Sequence, residues 1–200
     1  MPKGFTDEQK KYLRKKLIDA GKEIFGRYGF KKASIDQAVH MAGISKGTFY
    51  LFFESKELFF MEVLESIEKE IRDGMVKMME EKQLSPAERL KAFMRGFLKI
   101  MEKNPVMSKI QYQDLDTFML NLPEEKMKNH MDRDMEFLLD FILNIHTASG
   151  RLRSIKRKAL NGFFTFFIYI FQHKDDIGYE EYKAGTELMI DMASEYFFTS

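Results

Sequence analysis

No cysteine and no tryptophan occur in this chain of 200 residues, and there are only 4 prolines. The missing thiols remove disulfides, thiolate zinc sites and cysteine nucleophiles together, which agrees with a reducing compartment. A run of about 18 uninterrupted apolar residues, which a membrane-spanning helix needs, is also absent. Lys3, Asp7, Glu8, Lys10 and Lys11 stand where a secretory signal would carry its apolar stretch. A cytoplasmic protein without a membrane partner is therefore expected. Catalytic constellations are scarce as well. There is no Gly-rich phosphate loop, and His40, His146 and His173 have no nucleophile or carboxylate at a recognised motif spacing. His130 and Asp134 are four apart, as two ligands on one helix face would be, but Asp132 and Glu136 mark that face as solvated. The expectation is no enzyme, no metal and no cofactor.

What the chain does hold is apolar material and a hidden charge asymmetry. Hydrophobic residues make up 44%, with 20 Phe and 15 Met, enough for a genuine core. The net charge of +1 divides unevenly: residues 1–60 carry 12 Lys and Arg against 7 Asp and Glu, and the rest carry 20 against 24. A cationic end suits phosphate.

Helical periodicity dominates. A first helix begins near Thr6 or Asp7, with Thr6 and Gln9 at capping-box spacing and an apolar stripe of Leu13, Leu17, Ala20, Ile24, Phe25 and Tyr28, and it stops at Gly29. Ser55 caps a long helix to about Lys82, and Ser85 with Pro86 opens another that Asn104 and Pro105 end. Helical stripes cover roughly 106–120 and 123–147. Ser154 is the expected cap of an apolar helix over 155–173, and a last helix spans 180–198. Phe164–Phe171 would suit a strand by propensity, but no turn signal precedes it and no partner strand is apparent, so a buried helix is expected. The fold class is all-α, with about nine helices.

Residues 33–56 are the most informative segment. Ser34 and Gln37 have capping-box spacing, Gly43 supplies turn freedom, and Ser45 caps a second short helix bearing Lys46, Thr48 and Tyr50. That is a helix-turn-helix, and its partner is double-stranded DNA. The run IleAspAlaGlyLysGluIlePheGlyArgTyrGlyPhe, then AlaGlyIleSerLysGlyThrPheTyr, then PhePheGluSerLysGluLeu resembles the TetR family of transcriptional regulators over residues 10–64. Phe25, Gly29, Ser34, Ala42, Gly43, Gly47, Tyr50, Phe53 and Lys56 carry the match. Two places depart from the usual pattern: Ala38 and Val39 stand where a large aliphatic and then a small residue are common, and Gly21 where alanine often is.

The resemblance implies a helix-turn-helix DNA-binding domain over 1–54, with the motif at about 33–52, and a ligand-binding and dimerisation domain over 55–200. It implies that residues 45–51 enter the major groove of a palindromic operator, with Lys46 and Thr48 facing the groove, Gly47 letting the backbone approach, Ser34, Tyr50 and Lys56 at the phosphates, and Ser45 a cap that also contacts the DNA. It further implies a homodimer built from the last two long helices, for which Phe163, Phe167, Leu188, Met192 and Phe197 are the candidates. An unknown small-molecule effector is expected among Phe93, Phe97, Met101, Tyr112, Phe118, Phe137 and Phe141, oriented by Asn161, Gln111 and Gln113. A repressor released from its operator by an apolar or amphipathic molecule fits this set. The alternative is a helical ligand-binding or enzymatic protein whose head no longer reads DNA.

Overall fold

A computed structural model describes residues 5–80, 84–110, 118, 120–147 and 156–198. The described residues contain nine α-helices and one 3-10 turn, with no strand among them. In chain order they are α1 (Asp7–Lys32), α2 (Ile35–Ala42), α3 (Lys46–Phe49), α4 (Lys56–Glu80), α5 (Pro86–Lys103), the 3-10 turn (Met107–Lys109), α6 (Glu124–Thr147), α7 (Arg157–Gln172), α8 (Lys174–Ile177) and α9 (Tyr179–Phe198). No helix among the described residues is long and apolar enough to cross a membrane.

The caps form as the sequence indicates. Thr6 and Gln9, and Ser34 and Gln37, each make reciprocal capping boxes. The Ser55 hydroxyl accepts from the Leu58 N–H at 3.1 Å, and the Glu88 carboxylate accepts from both the N–H and the hydroxyl of Ser85. Gly29 has φ 72° and breaks α1, so that Phe30–Lys32 form a separate last turn. Two expectations change. The helix over 106–120 starts instead as a 3-10 turn, because the Asn104 carboxamide oxygen accepts from the Val106 and Met107 N–H groups and redirects the chain. The apolar helix α7 begins at Arg157 behind Lys156, with no side-chain cap, and Ser154 lies outside the described residues. Phe164–Phe171 are helical, as the missing turn signal and partner strand indicated.

The residues gather into two compact units, one of residues 1–71 and 102–122, the other of 72–101 and 123–200. The first is built on rings: Phe25 lies 4.6 Å from Phe60 and 5.5 Å from Phe59, Phe30 lies 4.9 Å from Phe60, and Phe118 closes the cluster against Phe30 and Phe60. Ala38 and Val39 are both buried, so α2 packs well with the small residue first. Tyr28, expected in the stripe of α1, is exposed. Gly21 is explained by α4: a Cβ there would fall 2.5 Å from Val63 Cγ2 and 2.7 Å from Phe59 Cζ. The second unit pairs α5 with α9 through Lys91–Asp191 at 2.7 Å and Arg95–Glu187 at 2.7 Å.

Both atoms that would meet a Gly21 Cβ belong to buried side chains with little room to move. Gly21→Ala is expected to destabilise the protein by about 1–3 kcal/mol, as overpacking does, despite alanine's better helix propensity. Urea denaturation measures this, and an unchanged or raised midpoint would refute the close α1–α4 contact.

Candidate nucleic-acid interface

The turn between α2 and α3 is set by Gly43, which adopts φ 68°, ψ 38°, a left-handed conformation that glycine enters without a side-chain penalty. Its N–H donates to the His40 carbonyl, and the Ile44 N–H donates to Val39. Ser45 then caps α3, its hydroxyl accepting from the Thr48 N–H at 3.1 Å and sharing a 2.9 Å hydrogen bond with the Thr48 hydroxyl. The helix is a single turn, continued through Tyr50 and Leu51 by bonds to the Lys46 and Thr48 carbonyls.

One side chain fixes this turn in the head. Phe49 is fully buried, with its ring 5.4 Å from Phe53 and 5.3 Å from Phe59. Anchoring Phe49 inward turns Lys46, Gly47 and Tyr50 outward, and all three are exposed. A Cβ on Gly47 would meet only the Ser45 hydroxyl at 3.8 Å, so the packing of the head does not require glycine there. An exposed glycine in a helical turn costs about 1 kcal/mol relative to alanine. Its use is on the outside, where bare backbone lets a partner come close.

The two lysines differ. Lys46 is exposed, and its Nζ pairs with Asp36 on α2 at 3.0 Å. The hydrogen bond from that carboxylate, then its charge, holds the Lys46 pKa above the ordinary lysine value. The Lys56 ammonium donates to the Lys31 carbonyl at 3.3 Å and lies 4.7 Å from the centre of the Phe30 ring. Burial pulls its pKa below the ordinary value. Lys56 thus ties the last turn of α1 to the start of α4, a role the sequence did not suggest. Ser34 is exposed and engaged in its capping box, a placement that serves the helix first.

The remaining expected site residues separate. Phe93 and Phe141 stack at 3.9 Å, with Phe137 6.4 Å from Phe93. Phe97 is 6.4 Å from Phe167, and Met101 is half-buried. Phe118 does not join them, because its ring packs with Phe30 and Phe60 in the first unit. Gln111, Tyr112 and Gln113 lie outside the described residues. The Asn161 carboxamide oxygen is buried and has no hydrogen-bond partner among the described residues. Of the interface candidates, Phe167 and Phe197 are core, 2% and 5% exposed, and Phe163 bridges them at 6.5 and 5.7 Å. Phe167 lies on the inward face of α7 with Leu160, Phe164 and Phe171, and Phe163 flanks it. Leu188 and Met192 are 62% and 61% exposed, and Phe166, Tyr169 and Tyr196 are exposed as well. Asp134, four residues after His130, accepts from Arg72 at 2.9 Å, and its other carboxylate oxygen lies 3.6 Å from His130 Nε2.

Residues 17–63 match the sequence profile of the bacterial regulatory proteins of the tetR family. The head is a tetR-family domain. The chain is 37% identical over 68 residues to the uncharacterized HTH-type transcriptional regulator YhgD of Bacillus subtilis (strain 168), covering 34% of this chain and 36% of that protein. It is 24% identical over 90 residues to the HTH-type transcriptional repressor DhaR of Mycobacterium sp. (strain GP1), covering 45% of this chain and 46% of that one. Each match thus spans less than half of the curated relative. The fold extends further than the sequence likeness: the crystal structure of the transcriptional regulator FadR from Bacillus subtilis in complex with stearoyl-CoA aligns over 92% of this chain and 98% of its own, with a TM-score of 0.64 at 15% identity. The likeness in fold therefore reaches beyond the residues that the family profile matches.

The α3 turn of this tetR-family head has little stability of its own, and the Ser45 hydroxyl is its cap. Ser45→Ala is expected to lower the unfolding free energy by about 1 kcal/mol, the usual cost of a lost cap. A denaturation midpoint equal to wild type would show that the cap contributes nothing here.

Proposed function

We propose that the protein is a ligand-responsive, DNA-binding transcriptional repressor that grips a palindromic operator as a homodimer and leaves it when a small apolar or amphipathic molecule binds. Residues 1–54 act as the DNA-binding head, and residues 55–200 bind the ligand and pair the subunits. The observation that carries this reading is the capped, Phe49-anchored turn that holds Lys46, Gly47 and Tyr50 outward on the cationic end of the chain. Lys46 and Thr48 read the groove. Tyr50, Ser34, Ser45 and Lys56 serve the phosphates, Lys56 doing so from its seat over Phe30.

Palindromic readout needs two heads about 34 Å apart. The exposed apolar side chains of α7 and α9, namely Phe166, Leu188 and Met192 with Tyr169 and Tyr196, supply the face for pairing. Phe163, Phe167 and Phe197 support that face from within. For the ligand, Phe93, Phe97, Met101, Phe137 and Phe141 give an apolar lining. The buried Asn161 oxygen offers an acceptor to a donor on the ligand. The likeness to a regulator crystallised with stearoyl-CoA favours a long-chain acyl compound as the first to try. Helix α4 carries residues of both compact units and is the element through which binding is felt at the head. A coupling of about 1–3 kcal/mol alters operator affinity some 5- to 150-fold.

A gel shift with DNA from upstream of its own gene tests the reading: retarded duplex that falls away steeply with added salt is expected. Tyr50→Ala is expected to weaken binding to all sequences alike with the thermal midpoint unchanged. Lys56→Ala is expected to lower both, because it also removes the α1–α4 tie. Binding by both variants equal to wild type would remove the phosphate assignments.

For the subunit contact, Leu188→Lys with Met192→Lys is expected to yield a folded monomer by light scattering. Phe197→Ala, which empties a core position, is expected to cost about 3–5 kcal/mol of stability. A charged-face variant that remains dimeric would move the interface elsewhere.

A further inference from the structure

In the DNA-binding reading Lys46 faces the groove, yet its ammonium is already held inside the head. Nζ lies 3.0 Å from Oδ1 and 3.2 Å from Oδ2 of Asp36, so both carboxylate oxygens face it. Asp36 stands in the first turn of α2 and Lys46 opens α3, so the pair crosses the helix-turn-helix itself. An acidic residue in a first helical turn is explained by the helix dipole. Its engagement with the cation of the neighbouring helix is not. To an ammonium, a carboxylate and a backbone phosphate present the same chemistry: anionic oxygens that accept charge-assisted hydrogen bonds.

We propose that Asp36 acts through Lys46 as an internal competitor of the DNA phosphates and so restrains attachment of the head to duplex of arbitrary sequence. The inference rests on the DNA-binding reading above. The side chains are 53% and 72% exposed, which leaves the pair weak and exchangeable in water. Lys46 stays on Asp36 until a base edge or phosphate offers it more. The raised Lys46 pKa has the same origin, since the carboxylate favours the charged amine. Asp36 is thus a positioning residue for a DNA contact, and its own carboxylate makes no favourable contact with DNA.

The test uses the full chain and a labelled duplex of arbitrary sequence, with binding followed by fluorescence anisotropy across a salt series. Asp36→Asn is expected to tighten binding about 3- to 5-fold, the scale of an exposed ion pair. It should also steepen the log–log salt dependence by about one phosphate contact. In a Lys46→Ala background the same change should leave that slope unaltered, and Asp36→Glu should behave as wild type. A purely structural role for Asp36 predicts the opposite sign, because a head weakened at the start of α2 binds less. A slope that Asp36→Asn leaves alone, or changes equally with and without Lys46, overturns the inference while the DNA reading stands. Failure of the wild-type chain to retard any duplex at low salt overturns both.

Discussion

The Phe49 ring set against Phe53 and Phe59 is the contact on which the head depends. Phe59 in turn touches Phe25 of α1, so three helices and the connecting turn share one aromatic cluster. Rings bury large areas and meet in tilted or edge-on pairs that add to the area term. Here the gain is directional. Burying Phe49 decides which way a single helical turn faces, and the charged and glycine positions beside it are outward as a result.

Around this cluster the backbone approaches closely at two glycines of α1. Gly21 brings α1 onto Val63 and Phe59, and Gly26 sits where a Cβ would fall 2.9 Å from that of Pro105. Positive φ at Gly29 and Gly43 turns the chain at the two ends of α2's surroundings. Polar groups then tie the ends: Ser34 and Ser45 cap helices, and Lys56 reaches back to the Lys31 carbonyl. In the second unit the buried hydroxyls of Thr186 and Ser194 donate to the Tyr182 and Asp191 carbonyls, so α9 stays satisfied along its inward face. The Lys91 and Arg95 pairs hold α5 beside it.

Helices, caps and the turn were legible because each is written locally, in hydroxyls three residues before a partner and in apolar positions three or four apart. The lack of a turn signal and of a partner strand also separated α7 from a strand. Periodicity failed where the answer lay across the fold. Phe118 resembles Phe141 in composition, and only tertiary packing sends one to the head cluster and the other against Phe93. Phe167 and Phe197 were interface candidates with intrachain core as the other reading, because an apolar stripe does not say whether its cover is the same chain or a second copy, and within this chain both are buried. Asp36 was overlooked for a related reason: it is ten residues from Lys46, a spacing with no helical meaning, and the turn at Gly43 creates the pair. The 3-10 turn after α5 depends on one Asn104 side chain capturing two N–H groups, which a stripe of apolar residues conceals.

The brevity of α3 has a consequence for how the surface it presents is lost. Four residues cannot repay the cost of helix nucleation alone, so a peptide cut from this region would be coil. The outward-facing turn exists only while the cluster beneath it is assembled, and its amide protons will exchange no more slowly than the cluster opens. Occupancy and folding are then one linked equilibrium: whatever clasps the turn also raises the melting temperature of the head, by an amount set by its concentration relative to its dissociation constant.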